Sequence, residues 1–401
     1  MDNNKHSYDV DAILASSTIS KRQRECFETL RDAGTVAKSA KVLGLNKRSL
    51  QAILARGRKL ALAEDVDKYV PNKQVLGGTS TLYKTDEETG EKVEVMQWVK
   101  TKSTDESTLE AIQQVTSELA KEVDGKAKPI KKPKKLVKDL LVTYVSTDIH
   151  LGQFSWAPET GENVDVDSVK CNVINSMHIL TETTPSAEEA IVLDLGDTLH
   201  AANDDARTKS GHVLDVDGRH AKVFKALVDM KLEMIDLALK KHARVTYIIV
   251  AGNHSDLVPN YLIAMLSAYY RNEPRLTVNC EQGLHKYYKH GETLLGFHHG
   301  HATKMQRLPE VMVWDRKEDI SSTTHRYWLT GHVHKDSVID NPIARCESFR
   351  NATHNDAWAS GAGYRGHKQT VAITYSKKYG EIARNIVPID LVKASVREEM
   401  L

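Results

Sequence analysis

Cysteine is scarce in this 401-residue chain. There are four, Cys26, Cys171, Cys280 and Cys346, and no two form a CxxC pair. No zinc module can be built from them, and their scatter points to a reducing compartment. No run of about 18 apolar residues exists, which removes a membrane-spanning helix. The opening MDNNKHSYDV lacks the apolar stretch of a secretory signal. A cytoplasmic protein with no membrane partner is the expectation. Net charge is nearly absent as well: at +1 overall it names no polyanionic partner. What the chain does have is histidine, eighteen in all, many of them just after apolar runs. Imidazole is the commonest metal ligand among side chains and the usual acid–base group near neutral pH.

The charge that cancels over the whole chain is unevenly placed. Between residues 21 and 62 there are eleven Lys/Arg and three acids, a local +8. The same stretch reads as helices: TISKRQRECFETLRDAG ending at Gly34, TVAKSAKVLG ending at Gly44, then, after the turn LN, KRSLQAILARGRKLALA. Helix, glycine-containing turn and basic helix is the pattern of a helix-turn-helix unit. Concentrated positive charge is the footprint of a phosphate-backbone binder. Residues 1–66 are therefore expected to form a small all-α domain that docks on DNA, with Lys47, Arg48, Arg56, Arg58 and Lys59 as phosphate contacts; a three-helix domain with a solvated basic face is the plainer reading.

Residues 67–138 are expected to be connecting structure. TSTLY and KVEVMQWVKT flank the charged turn KTDEETGE as a β-hairpin, and 103–120 reads as a polar helix. KAKPIKKPKKLVK, with seven lysines and two prolines, reads as a solvated, extended linker.

From 139 onward, short apolar runs alternate with helical patterns. LLVTYV (140–145), AIVLDL (190–195) and RVTYIIVA (244–251) read as buried strands. GRHAKVFKALVDMKLEMIDLALKKH (218–242) reads as an amphipathic helix with Phe224, Leu227, Val228, Leu232, Ile235 and Leu239 on one side. TLLGF, RYWLT, TVAITYS and EIARNIVPI supply later strands. Parallel βαβ units followed by antiparallel strands fit an α/β (α+β) fold of two sheets sandwiched between helices over 139–401.

Five of these runs end in metal-ligand residue types: Asp148-Ile149-His150, Gly196-Asp197-Thr198-Leu199-His200, Gly252-Asn253-His254, His298-His299-Gly300-His301 and Gly331-His332-Val333-His334. In α/β folds, functional groups collect at the carboxyl ends of strands. Carboxylates, imidazoles and an amide oxygen suit Mn²⁺, Fe or Zn²⁺ better than Ca²⁺. Two such ions can share a carboxylate and clamp a phosphate.

The ordered series DxH, GD, GNH, HGH and GHxH closely resembles the calcineurin-like metallophosphoesterase superfamily, over about residues 143–390. The resemblance implies a four-layer αββα sandwich and two divalent metal ions, Mn²⁺ first among the candidates. It implies that Asp148, His150 and His334 hold one ion, that Asn253, His299 and His332 hold the other, and that Asp197 bridges them. Among His298, His299 and His301 it favours His299. It makes His254 the group that stabilises the phosphate and protonates the leaving oxygen, with His200 a second candidate near the leaving group. A bridging hydroxide would then attack phosphorus in line.

Within the superfamily, DIHLG is similar to the DNA-repair exonuclease branch, and the whole architecture resembles phage-encoded metallophosphoesterases with an N-terminal helix-turn-helix. His200 and Ser255 stand where that exonuclease branch usually has acids, and only 67 residues follow His334, little room for a DNA-capping domain. The leading expectation is a DNA endo- or exonuclease docked by its N-terminal domain. The alternatives are a phosphomonoesterase or nucleotide phosphodiesterase, and a DNA-binding or assembly protein with a silent metal site. Oligomeric state is not legible.

Overall fold

Ser20 starts the first long helix of the computed structural model. Its hydroxyl accepts from the Gln23 amide while Gln23 Oε1 accepts from the Ser20 amide, a reciprocal cap on helix Lys21–Ala33. Gly34 ends that helix at φ +71°, where a left-handed residue is needed. Helix Val36–Val42 follows, and Asn46 Oδ1 accepts from the Ser49 amide at the start of helix Lys47–Asp67. Cys26, Phe27, Leu30, Ala40, Leu50 and Leu54 close a small core among these helices. Gly57 lets Lys47–Asp67 approach, since a Cβ there would stand 2.6 Å from the Phe27 ring.

The structure describes residues 10–16, 19–67, 74–85, 92–103, 121–202, 206–207, 212–254 and 257–399. The chain divides into two compact units, Met1–Val115 and Thr116–Leu401. In the first, strands β1 (Gln74–Thr85) and β2 (Lys92–Ser103) pair antiparallel as the anticipated hairpin. The polar helix expected beyond it lies outside the described residues. No helix among the described residues is long and apolar enough to cross a membrane.

The second unit is α/β. Its strands are β3 (Val137–Ser146), β4 (Ala187–Asp194), β5 (Arg244–Ile249), β6 (Leu276–Val278), β7 (Lys286–His290), β8 (Thr293–His298), β9 (His325–Thr330), β10 (Ser337–Asp340), β11 (Arg345–Ser348), β12 (Gln369–Ser376) and β13 (Gly380–Pro388). One sheet runs β13-β12-β3-β4-β5-β6, with β3 to β6 mutually parallel and β12 and β13 antiparallel to their neighbours. The other runs β10-β11-β9-β8-β7, parallel only across β11, β9 and β8. Leu141, Ile191 and Ile248 of the first sheet meet Leu295, Phe297 and Leu329 of the second in one dry core. Helices Val166–Thr183, His220–Lys241, Val258–Tyr269 and Ile389–Glu399 cover the outer face of the first sheet, and Leu308–Asp315 packs on the second. The layers are thus helix, sheet, sheet, helix.

Two local readings are corrected. Helix His220–Lys241 buries a stripe rotated from the expected one: Val223, Leu227, Met230, Lys231, Met234, Ile235, Ala238 and Leu239 are inside, while Phe224, Val228 and Leu232 are only half-buried. The Lys/Pro-rich segment is docked and not a free spacer. Ala127 and Ile130 pack against the helical layer, the Ala127 amide donates to the Tyr269 carbonyl at 3.1 Å, and Arg275 Nη2 donates to the Ile130 carbonyl at 2.6 Å. Lysine density hid two apolar anchors.

At the end of the sheet where β3 begins lies a buried histidine with a consequence for acid stability. His242 Nδ1 lies 3.1 Å from the Ala187 carbonyl and 3.2 Å from the Ala187 amide, and the Tyr144 hydroxyl sits 2.7 Å from Nε2. Burial pushes this imidazole down to about 4. An unfolded imidazole takes up its proton near pH ~6.5. Between those values the unfolded chain binds more protons, so stability falls as pH falls, by up to about 3 kcal/mol, and is constant above the window. Urea titrations of the metal-free chain from pH 7 to 4 should show that slope, and His242→Gln should remove its share.

Candidate metal centre

Strands β3, β4 and β5 end at Ser146, Asp194 and Ile249, and β8 and β9 end at His298 and Thr330, so five loops leave on one side of the sandwich. The first two loops are zipped together by backbone hydrogen bonds: Asp148 N to Gly196 O (3.1 Å), His150 N to Asp197 O (3.0 Å) and Leu151 N to Thr198 O (2.9 Å). The last two are joined by Gly331 N to His299 O at 2.8 Å. Asp148, His150, Asp197, His332 and His334 all sit in the left-handed region, at φ between 47° and 71°. Non-glycine residues rarely hold that conformation, and such strain gathers where a side chain must be aimed.

Glycine is required at two places for a different reason. A Cβ on Gly252 would fall on the Asp197 carboxylate, and one on Gly331 would fall on the Thr147 hydroxyl and lie 2.7 Å from Asp148 Oδ2. Both glycines have ordinary φ, so closeness of approach is the demand. Gly252→Ala should push Asp197 aside, and a displacement near 1 Å would cost any reaction at these groups about 10²-fold. Steady-state kinetics beside a thermal melt would separate this from unfolding.

The described residues gather three groups of ligand atoms, each mutually within 4.8 Å: Asp148, His150 and His334; Asp197, His299 and His332; and His150, His200 and His254. In the first, His334 Nε2 is 3.1 Å from Asp148 Oδ1 and 3.3 Å from His150 Nε2. In the second, His299 Nε2 is 3.0 Å from Asp197 Oδ2 and 3.2 Å from Asn253 Oδ1, which adds the amide oxygen. The two groups touch, since the same Nε2 is 3.9 Å from Asp148 Oδ1. His299 Nδ1 donates to the Leu195 carbonyl at 2.7 Å, which fixes the ring and aims Nε2 inward. His298, one residue earlier, turns away: it stacks on His285 at 4.8 Å, and its Nδ1 accepts from the Gly300 amide. The His301 ring lies 5.3 Å from that of His299.

His254 is anchored twice. Its amide donates to Asp197 Oδ1 at 2.8 Å, and its Nδ1 donates to the His200 carbonyl at 2.8 Å. His200 is buried, with Nδ1 3.4 Å from His150 Nδ1 and Nε2 lacking a hydrogen bond among the described residues.

The electrostatics ask for a cation. Burial alone would raise the Asp148 carboxyl, but the His334 charge and hydrogen bond, His299 and the Thr147 hydroxyl outweigh it and hold the group at about 2. The Asp197 carboxyl is likewise lowered, with His299 outweighing burial. Burial would lower His299, but its hydrogen bond and charge contact with Asp197 carry it up to about 9. His150 is pushed well below the usual imidazole range, by burial first and then by its neighbours His254 and His334. Burial, with His254, drives His200 down to about 3. Two buried carboxylates, the imidazoles of His150 and His332 disfavoured as cations, and His299, which must yield its extra proton to an ion, form the donor set of a borderline divalent ion. None of the four cysteines belongs to these groups.

Sequence reasoning passed over Thr147, Asp194 and Lys231. Asp194 Oδ2 forms an ion pair with Lys231 Nζ at 2.6 Å, both side chains being buried. Asp194 Oδ1 accepts from the Gly196 amide (3.3 Å) and the Thr198 hydroxyl (3.0 Å), on either side of Asp197. A signal existed: Lys231 is four residues from Leu227 and from Ile235, on the apolar stripe. Of the expected phosphate contacts, Lys47, Arg48 and Arg56 are exposed on helix Lys47–Asp67, while the side chains of Arg58 and Lys59 lie outside the described residues.

No family model matches the chain, and no curated protein matches it. Solved structures do align with it at low identity. A conserved uncharacterized protein from Streptococcus pneumoniae TIGR4, a predicted phosphoesterase, is 10% identical over 62% of this chain and 98% of its own, with a TM-score of 0.25. Wild-type Vps29 from Entamoeba histolytica, complexed with zinc, is 13% identical over 62% of this chain and 99% of its own, with a TM-score of 0.27. A putative 5'-nucleotidase from Staphylococcus aureus is 12% identical over 65% of this chain and 58% of its own, with a TM-score of 0.31. At these values the functional reading rests on the geometry of the site.

Proposed function

We propose that this chain is a metal-dependent phosphoesterase, and within that class a phosphodiesterase that cleaves DNA. The observation that carries the reading is the meeting of two ligand groups, Asp148/His150/His334 and Asp197/His299/His332, at the ends of four strands, with Asn253 reaching them from the end of a fifth. Asp148, His150 and His334 would hold one divalent ion; Asn253, His299 and His332 would hold a second. Asp197 lies between, one oxygen toward His299 and the other on the His254 amide. When bound, such ions, Mn²⁺ first with Fe or Zn²⁺ as alternatives, supply Lewis acidity toward phosphate oxygens and lower the pKa of a water.

The chain's own residues do the rest. His254 keeps Nδ1–H on the His200 carbonyl, so in its protonated form the second proton sits on Nε2 and can pass to the leaving oxygen, leaving neutral imidazole. His200, buried against His150, acts as a positioning residue. His299 keeps Nε2 inward because Leu195 holds Nδ1. DNA docking is assigned to the N-terminal unit, whose exposed Lys47, Arg48 and Arg56 share one helix and supply sequence-independent affinity for phosphates.

The test is hydrolysis by the purified chain, titrated with Mn²⁺, of labelled single- and double-stranded DNA beside p-nitrophenyl mono- and diesters. Cleavage of DNA and of the diester is expected. Turnover of the monoester alone would overturn the phosphodiester reading. Metal binding without any turnover would favour a silent centre in a DNA-binding protein.

A further inference from the structure

Two loops beside the metal centre expose large aromatic rings. Phe154 and Trp156 are 46% and 58% exposed, and Trp358 and Tyr364 are 71% and 53% exposed. Trp314 and Tyr379 are also exposed, but they stand singly on other elements, whereas these four rings cluster on two adjoining loops. The loops form one surface. The short helices Ala157–Thr160 and Ala357–Gly361 pack together, Gln153 Nε2 donates to the His354 carbonyl at 2.8 Å, and the Ser155 hydroxyl donates to the Asn355 carbonyl at 3.0 Å. The surface is continuous with the centre, because the Thr353 hydroxyl donates to the carbonyl of Ile149, between Asp148 and His150.

The rings are held as platforms. Trp358 and Tyr364 lie 5.9 Å apart at 30°. The turn between them is pinned by Asn355 Nδ2 and Arg365 Nη1, both donating to the Tyr364 carbonyl at 2.6 and 2.7 Å. Arg365 is itself exposed. Residues 350–368 contain no Leu, Ile, Val or Met, so the rings stand among Gly, Ala, Ser, Asn and His. Isolated π-faces beside a guanidinium suit flat heterocycles joined by phosphates.

We infer that Trp156, Trp358 and Tyr364 form a base-stacking platform that takes unpaired nucleobases of a single-stranded nucleic acid while an adjacent phosphodiester lies at the metal centre. The inference rests on the phosphodiesterase reading of that centre, and narrows its substrate to strands with accessible base faces. Duplex ends and interiors would need to open first.

The experiment compares binding of a labelled six-nucleotide oligothymidylate with a six-unit abasic oligomer of equal charge, using the metal-free full chain and fluorescence anisotropy. The wild type should prefer the base-bearing strand by roughly 10- to 100-fold. The double variant W358A/Y364A should lose most of that preference without weakening the abasic strand, and W358F/Y364F should keep it. Equal binding of the two oligomers, or equal weakening of both in the Ala variant, would overturn the platform. Oligomer turnover without base preference sinks this inference and leaves the phosphodiesterase reading standing. Base preference without turnover of any ester supports the platform and sinks that reading.

Discussion

Asp197→Asn should lower phosphodiester turnover by at least about 10³-fold, equivalent to roughly 4 kcal/mol of transition-state stabilisation. The carboxylate is placed between the two ligand groups, with Oδ2 3.0 Å from His299 Nε2 and Oδ1 accepting from the His254 amide at 2.8 Å. An amide of nearly the same shape preserves packing but removes the negative charge, and one of its two ends becomes a donor. Its N–H₂ can turn to His299 Nε2 and its oxygen to the His254 amide, so the contacts survive and the loss is that of the negative charge. Metal affinity should fall with activity, read by isothermal titration with Mn²⁺. Activity retained with intact metal uptake would dismiss Asp197 as the shared ligand. The fold should survive, because the loop is independently held by backbone bonds from Asp148, His150 and Leu151.

Lys231→Met should destabilise the chain by about 3–5 kcal/mol, a large part of the ~5–15 kcal/mol typical of a folded domain. Methionine fills the stripe of helix His220–Lys241 well, so packing is not the loss. The loss is a carboxylate, Asp194, left fully buried without its cation. The double variant D194N/K231M should recover much of the stability, since neither charge remains. The carboxamide oxygen introduced by Asp194→Asn could still accept from the Gly196 amide and the Thr198 hydroxyl, so the loop carrying Asp197 should keep its shape. Urea unfolding of the two variants decides the matter; equal loss in both would mean that the ion pair is not the source.

The same residues show how far the sequence could be read. The central strands β3, β4, β5 and β12 stand out as apolar, β-branched runs, because burial on both faces leaves few other choices. Strands β6, β7, β10 and β11 do not, being only three to five residues long and, β6 apart, polar at half their positions or more. Ligand types at strand ends could be collected from order alone. Which imidazole of His298, His299 and His301 faces the carboxylates could not, since that depends on a hydrogen bond to Leu195, 104 residues away. The docked Lys/Pro segment was obscured for a related reason: its anchors are backbone groups and two modest apolar side chains, and neither leaves a periodic trace. The aromatic platform was present as letters, but only exposure distinguishes a stacking ring from a core ring.

The donor set has a consequence for how the centre meets thiol reagents. Every gathered ligand atom is nitrogen or oxygen, while the cysteines sit elsewhere, Cys26 and Cys346 buried and Cys171 and Cys280 exposed. A thiol-directed alkylating reagent would reach Cys171 and Cys280 and find no cysteine among the gathered ligands. The centre is thus uncoupled from thiol chemistry. Those two exposed thiols are natural anchoring points for a fluorophore or spin label, giving a chain that can be watched while metal ions and oligonucleotides are added.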